Sequence, residues 1–307
     1  MTYLITGATG KTGAHAVRFL READQPVRAL VHSRDVRADA LENLGAEIVV
    51  GDLLDFHAVS SAMAGVDAAY FCYPILPGLL DATTIFAQAA TEAGVGAVVN
   101  MSQISARREA KSHAAQSHWL GERLLDRSAF ITTHLRPTFF AEWLVFQWSR
   151  DEDGGVLRLP FAVGRHAPIA AIDQARVIAA ILRNPAPHDR QVYPLYGPVE
   201  LDHHAIAERV ASVLGHPVRY EPVEIATFAE VLRAEGYGDH LIQHLSSVAQ
   251  DYRDGIFAGT NNLVEVISGT PASTVEEFVA ANRDAFQSAG REPAWQQLRA
   301  NRPGAAA

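Results

Sequence analysis

Cations are in short supply in this chain, cysteine occurs once, and no apolar run approaches the roughly 18 residues that would fill a bilayer. Each shortage closes off a class of function. With 26 Lys and Arg against 35 Asp and Glu the formal net charge is −9, and the local run Arg107-Arg108-Glu109-Ala110-Lys111 is short and interrupted. Binding to nucleic-acid phosphates draws on clustered cations that release counterions, so no nucleic-acid partner is expected. Cys72 has no second cysteine to pair with, which excludes an internal disulfide. With no signal-like segment at the N-terminus either, the sequence predicts a soluble, cytoplasmic protein with no membrane partner. No Gly-x-Ser-x-Gly elbow occurs, and Gly10-Lys11-Thr12 follows Gly7 by only three residues, too few for the phosphate loop of nucleotide hydrolases. His240 and His244 stand one helical turn apart without a third ligand at recognisable spacing, and His203-His204 beside Asp202 reads as a helix start. No metal site is expected.

What the chain does have is Thr6-Gly7-Ala8-Thr9-Gly10-Lys11-Thr12-Gly13, directly after the apolar Tyr3-Leu4-Ile5 and at the start of a helical segment. A strand must stop there, turn tightly and present backbone N–H groups to an anion at a helix N-terminus, and glycine permits both the turn and the close approach. The spacing alone is weak evidence. Its position between a strand and a helix, in the first unit of an alternating chain, is what a dinucleotide site requires.

Hydrophobic runs near 2–6, 26–32, 46–50, 67–73, 96–102 and 130–136 alternate with helical segments, which predicts a doubly wound, Rossmann-like parallel sheet. After Pro137 the rhythm loosens: an aromatic-rich stretch to Trp148 and the acidic loop Asp151-Glu152-Asp153-Gly154-Gly155 come first, and mainly helical sequence follows from about 200. The expected organisation is a dinucleotide-binding domain over 1–150, with 168–198 rejoining its sheet. A smaller, mainly helical substrate lobe follows over 199–290, and then a fraying tail over 291–307.

In such a sheet the ligand lies beyond the carboxyl ends of the strands, so the residues just past each strand are read for chemistry. After the second come His32, Ser33 and Arg34, with no acid before Asp35. An NAD site usually puts a carboxylate there for the ribose 2′-hydroxyl, whereas a guanidinium can grip a 2′-phosphate in bidentate fashion, so NADP(H) is expected over NAD(H). Arg34 as a solvated loop residue is the bland alternative. Lys11 adds positive potential near the phosphates. Past the third strand, Asp52 could accept from the adenine amino group while Leu53 covers the base, or Asp52 could cap the next helix. Tyr73 and Pro74 follow the fourth strand and Ser102 the fifth, where both would border the nicotinamide. Cys72 reads as a buried structural thiol inside an apolar strand.

These residues resemble the NmrA-like atypical short-chain dehydrogenase/reductases. The likeness rests on the glycine turn, Gly51-Asp52-Leu53, and His118-x-x-x-Glu122-Arg123-Leu124-Leu125 leading into Leu135-Arg136-Pro137-Thr138-Phe139-Phe140. It also takes in Ile172-Asp173 and Tyr196-Gly197-Pro198. The resemblance implies an NAD(P)-binding fold with a small substrate lobe, in a family of quinone- and azo-type reductases, tailoring reductases and silent cofactor-sensing regulators. Ordinary short-chain dehydrogenases use Tyr-x-x-x-Lys, in which lysine lowers the tyrosine pKa. Here, by spacing from Glu122, His118 stands near the lysine position and Ala114 near the tyrosine position, so that pair is absent.

The expected activity is NADPH-dependent reduction of a small, apolar, conjugated acceptor such as a quinone. Ser102, Tyr73 or a protonated His118 would meet the developing oxyanion. His118 could instead only position the nicotinamide ribose or carboxamide, and Tyr73 could only pack. Thr9, Thr12 and Pro137 join the expected cofactor contacts, while Phe139, Phe140 and Trp143 are candidate substrate contacts or else core. The alternative is a catalytically silent NADP(H) sensor acting through a protein partner. The reading leaves room for a homodimer.

Overall fold

The computed structural model describes residues 1–287, so the expected tail at 291–307 lies outside the described residues. Two compact units divide the chain. The first comprises 1–137, 171–195 and 262–271.

Its strands are β1 (Tyr3–Ile5), β2 (Val27–Val31), β3 (Glu47–Val50), β4 (Ala68–Phe71), β5 (Ala97–Met101) and β6 (Ile131–Pro137), joined by a seventh at Val192–Leu195. All pair in parallel, in the order Val192–Leu195, β6, β5, β4, β1, β2, β3. The chain direction across the sheet reverses between β1 and β4, and a doubly wound sheet opens its ligand crevice at that point. Helices α1 (Lys11–Glu22), α2 (Val36–Asn43), α3 (Phe56–Met63), α4 (Leu79–Ala93) and α5 (His113–Leu125) make the crossovers. Because both faces of the sheet are covered, β1, β4 and β5 are buried at every position, as their continuous apolar sequence requires.

In α1, Ala16, Val17 and Leu20 are buried as the 3.6-residue period demands, and this helix packs against Ala171–Arg183. Phe19 is only half-buried. Its ring carries the guanidinium groups of Arg18 and Arg176 at 4.9 and 5.8 Å from the centroid, a cation–π arrangement that keeps an edge of the helix wet. On the other face, Leu4, Phe71 and Val98 pack with Phe86 of α4 and Leu125 of α5 in one apolar cluster.

The second unit comprises 138–170, 196–261 and 272 onward. The acidic stretch proves to be the turn of a hairpin. Trp148–Asp151 pairs antiparallel with Gly154–Leu159, which in turn pairs in parallel with Val218–Pro222. Gly154 is required at that turn, since its φ is +131° and a Cβ there would lie 2.4 Å from Pro217 O. Asp151 is exposed but paired. Arg219 donates to it, and that hydrogen bond holds its carboxyl down at about 2. Helices His203–Leu214, Ile225–Ala234, Asp239–Arg253 and Val275–Ala281 make up most of the rest. The aromatic stretch after Pro137 does not form one helix: only Trp143–Phe146 is helical.

Candidate functional site: the dinucleotide cradle and the crevice beside it

The turn after β1 is held by a side-chain clasp. Thr6, fully buried, accepts a hydrogen bond at Oγ1 from Cys72 N (2.8 Å) and donates to Cys72 O (3.2 Å), which ties the end of β1 to the residue after β4. Cys72 therefore lies just past the strand rather than inside it, and burial raises its thiol pKa, so it is a poor nucleophile. The three glycines do different jobs. Gly7 adopts φ +57°, a left-handed turn. Gly10 donates to Gly7 O (2.9 Å) and is the N-cap of α1, with no side-chain cap and no acidic residue in the first turn. Gly13 lies so close that a Cβ would sit 2.3 Å from Gly7 O and 2.9 Å from Ala8 Cα. The uncapped first turn, with its aligned dipoles, is the electrostatic condition for an anion. A pyrophosphate fits it.

Past β2, His32, Ser33 and Arg34 are all exposed. Arg34 is engaged with α2: Nε donates to Asp39 Oδ1 (3.2 Å) and Nη2 to Glu42. Its side chain is half exposed, and exposed ion pairs are worth ~0–1 kcal/mol, so exchange for a phosphate is cheap. Past β3, Asp52 is not the cap of α3. Asp52 Oδ1 accepts from Leu54 N (2.9 Å) in a tight turn, whereas Asp55 accepts from His57 N and Ala58 N and caps the helix. Leu53 packs partly buried against the core. Pro137 closes β6, where its carbonyl accepts from Ile104 N (3.1 Å).

The three residues expected to meet an oxyanion are each committed elsewhere. Tyr73 donates its phenol hydrogen to Pro77 O (2.9 Å), and burial, followed by Asp52 and Asp81, raises its pKa. Ser102 donates to Glu122 Oε1 (2.6 Å) in a buried network that Arg136 completes, with Arg136 Nε on the same oxygen (2.8 Å) and Nη2 on Oε2. The Ser102 hydrogen is thereby spent on a carboxylate. Burial pushes the His118 imidazole down to about 4, against a smaller upward pull from Glu122. A protonated His118 at neutral pH is corrected: desolvation outweighs the neighbouring carboxylate, and the ring is neutral.

This histidine makes the fold acid-sensitive. Unfolded imidazole takes up its proton near pH 6.5 while the folded one resists to about 4, so between those values the unfolded state binds more protons and stability falls as pH falls. The ceiling for His118 alone is on the order of 3 kcal/mol. Melting temperatures measured from pH 7 to 4.5 are expected to drop, and to drop less in His118→Gln. An equal drop in both proteins would remove His118 from the account.

His118 lines a narrow crevice with Phe71, Tyr73, Leu79, Thr83, Asn100, Met101 and Gly121, all within the first unit. Sequence reading missed the network behind its wall. Register pairs Asn100 with His134; Asn100 Nδ2 lies 3.0 Å from His134 Nδ1, and His134 Nε2 lies 3.0 Å from Asp126 Oδ1. The available signal was an asparagine inside Ala97-Val98-Val99-Asn100-Met101, a polar break in an otherwise apolar strand.

Phe139, Phe140 and Trp143 belong to the second unit and are half-buried. Phe139 stacks on Phe257 (4.8 Å between centroids) and contacts Trp143, Phe161 and Tyr252, so it is the hub of an aromatic cluster. His203, expected only at a helix start beside the Asp202 cap, is also buried there, 5.4 Å from His166 and sharing the Tyr252 hydroxyl with it. Among the described residues, no group of three His, Cys, Asp or Glu side chains is placed to share a metal ion, and no helix is long and apolar enough to cross a membrane.

A glycine cradle at the first strand–helix turn of a 3-2-1-4-5-6 parallel sheet defines a Rossmann-like, dinucleotide-binding class of protein. Within that class, a sequence model of the NmrA-like family matches residues 1–279, and the chain belongs to that family. It is 29% identical over 288 residues to the NAD(P)H azoreductase of Xenophilus azovorans, covering 93% of this chain and 99% of that one. It is 26% identical over 279 residues to quinone oxidoreductase 2 of Escherichia coli (strain K12), covering 90% and 96%. The crystal structure of an NADPH-dependent quinone oxidoreductase from Escherichia coli complexed with NADPH superposes with a TM-score of 0.79 at 24% identity, covering 92% of this chain and 99% of that one.

Proposed function

We propose that this protein is an NAD(P)H-dependent reductase of small, conjugated acceptors of the quinone type, with NADPH the preferred donor. The bound dinucleotide supplies the hydride. The first-turn N–H groups of Lys11, Thr12 and Gly13 hold its pyrophosphate, with Thr9 and Gly10 shaping the turn. Arg34, with Ser33 and His32 beside it, takes the 2′-phosphate by giving up Asp39 and Glu42. Asp52 and Leu53 flank the adenine. Tyr73, Pro74, Ser102, His118 and Pro137 border the nicotinamide.

The observation that carries the acceptor class is the commitment of all three candidate acids. Tyr73 and Ser102 donate elsewhere and His118 is neutral, so no poised acid awaits a strongly basic alkoxide. A reduced quinone needs none. Its oxygen is phenol-like, with basicity near that of tyrosine at pKa ~10, and water can protonate it. A simple ketone would leave a far more basic oxygen. The quinone-reducing relative supports the same class.

Incubation with NADPH and a panel of quinones and simple ketones is expected to oxidise NADPH with the quinones and not with the ketones. Turnover of ketones alone would overturn the acceptor class. If NADPH binds and no acceptor consumes it, the silent sensor takes the place of the reductase. For the donor, Arg34→Ala is expected to weaken NADPH by roughly 1.5–3 kcal/mol, the range for hydrogen bonds to charged groups, and to leave NADH almost unchanged. Titration of both dinucleotides by fluorescence checks this, and equal loss for both would assign Arg34 elsewhere.

A further inference from the structure

The crevice wall holds two polar side chains whose hydrogen-bonding capacity is not used up within the described residues. Asn100 is 4% exposed and His118 7% exposed, yet no hydrogen bond within the described residues reaches either ring nitrogen of His118 or the Asn100 side-chain oxygen. Both side chains line the crevice, where a ligand or a bound solvent molecule can complete their hydrogen bonding.

The orientation of Asn100 follows from the chemistry of its neighbours. His134 Nε2 faces the Asp126 carboxylate, which can only accept, so Nε2 carries the proton. Burial lowers the His134 pKa and keeps the ring neutral, which leaves Nδ1 as a lone pair. A lone pair needs a donor, and the Asn100 NH2 group supplies it at 3.0 Å. The amide oxygen is thereby turned away from His134.

We propose that Asp126 and His134 form a positioning pair that fixes Asn100 as a hydrogen-bond acceptor in the crevice, where it and His118 together bind a hydroxyl group. A hydroxyl satisfies both at once, donating to Asn100 Oδ1 while accepting from the N–H of neutral His118, in the crevice that Phe71, Leu79 and Met101 also line. A methyl group would leave both partners unpaired. Two sources carry this chemistry: a ribose hydroxyl of the dinucleotide or a hydroxyl on the acceptor. Asn100 is the binding residue, and His134 and Asp126 act through it. The assignment rests on the reductase reading for the identity of the ligands, though the tautomer of His134 does not.

The test compares wild type with His134→Leu, which removes the acceptor for the Asn100 amide, and His134→Gln, whose side-chain oxygen can still accept from it. Nitrogen NMR of the histidine side chains is expected to show His134 protonated on Nε2 alone; a proton on Nδ1 would overturn the proposal whatever the ligands do. NADPH is then titrated, followed by 1,4-naphthoquinone and 5-hydroxy-1,4-naphthoquinone in the presence of NADP+.

Losing one oriented hydrogen bond is expected to weaken binding about three- to tenfold in His134→Leu, with His134→Gln close to wild type. If the hydroxyl is the ribose's, the NADPH dissociation constant rises. If it is the acceptor's, NADPH is unaffected and only the hydroxylated quinone weakens. Three unchanged dissociation constants in a variant that still melts cooperatively would overturn the proposal. A wild-type protein that does not bind NADPH would overturn the reductase reading before any variant is compared, and the ligand assignment with it.

Discussion

Gly13→Val is expected to abolish measurable NADPH binding while leaving a folded but weakened protein. The added side chain begins with a Cβ 2.3 Å from Gly7 O, and every nearest atom is backbone, so no side-chain rotation relieves the contact. Either α1 moves away from the turn or the turn opens. Both outcomes disperse the N–H groups of the first helical turn, which have no side-chain cap to hold them. A loss of at least ~100-fold in affinity, about 2.7 kcal/mol, is expected, along with a stability cost toward the upper end of the ~1–3 kcal/mol typical of overpacking. Gly238→Ala is the control, since nothing lies within 4 Å of a Cβ there and its φ of −74° suits any residue. Calorimetric titration with NADPH decides the matter. Near-native affinity in Gly13→Val would mean that the cradle does not hold the pyrophosphate.

The second large effect concerns Arg136. Glu122 is fully buried, and its charge is balanced chiefly by Arg136, with Arg123 farther off at 3.7 Å. Arg136→Leu leaves a buried carboxylate with the Ser102 hydroxyl and little else. Breaking a buried pair costs ~3–5 kcal/mol, and since 22% of the Arg136 side chain meets solvent we expect the lower end, about 3 kcal/mol. The double variant Arg136→Leu, Glu122→Leu is expected to recover most of that loss, because it removes the stranded charge as well. Urea midpoints of the single and double variants test this. If the double variant is no better than the single, the cost lies in lost packing rather than in the unpaired charge.

The glycine turn and the parallel sheet were legible in the sequence because local backbone demands determine residue type there. A left-handed φ at Gly7, a close approach at Gly13 and strands buried on both faces each leave a mark within a few residues. The site's chemistry was less legible, because it depends on atoms brought together from separate elements. Ser102, Glu122 and Arg136 come from the end of β5, from α5 and from β6, and no spacing rule joins them. The charge of His118 is set by desolvation, which a linear sequence does not display. Arg34 was read for a phosphate, and the same guanidinium also suits Asp39 and Glu42 five and eight residues on. The hairpin of 148–159 was hidden because its turn residues, Asp151 to Gly154, read equally well as an acidic loop.

The first unit is discontinuous in the chain, since its sheet ends with Val192–Leu195 and its last piece is 262–271. During synthesis β6 leaves the ribosome well before the strand that will cover its outer edge. At ~5–20 residues per second, that edge waits roughly 3–12 s with its backbone groups unpaired. An open edge is a template for pairing with other chains. While 138–191 is being made, long after the dinucleotide cradle itself has been translated, the nascent protein therefore carries an open β6 edge in addition to that of β3.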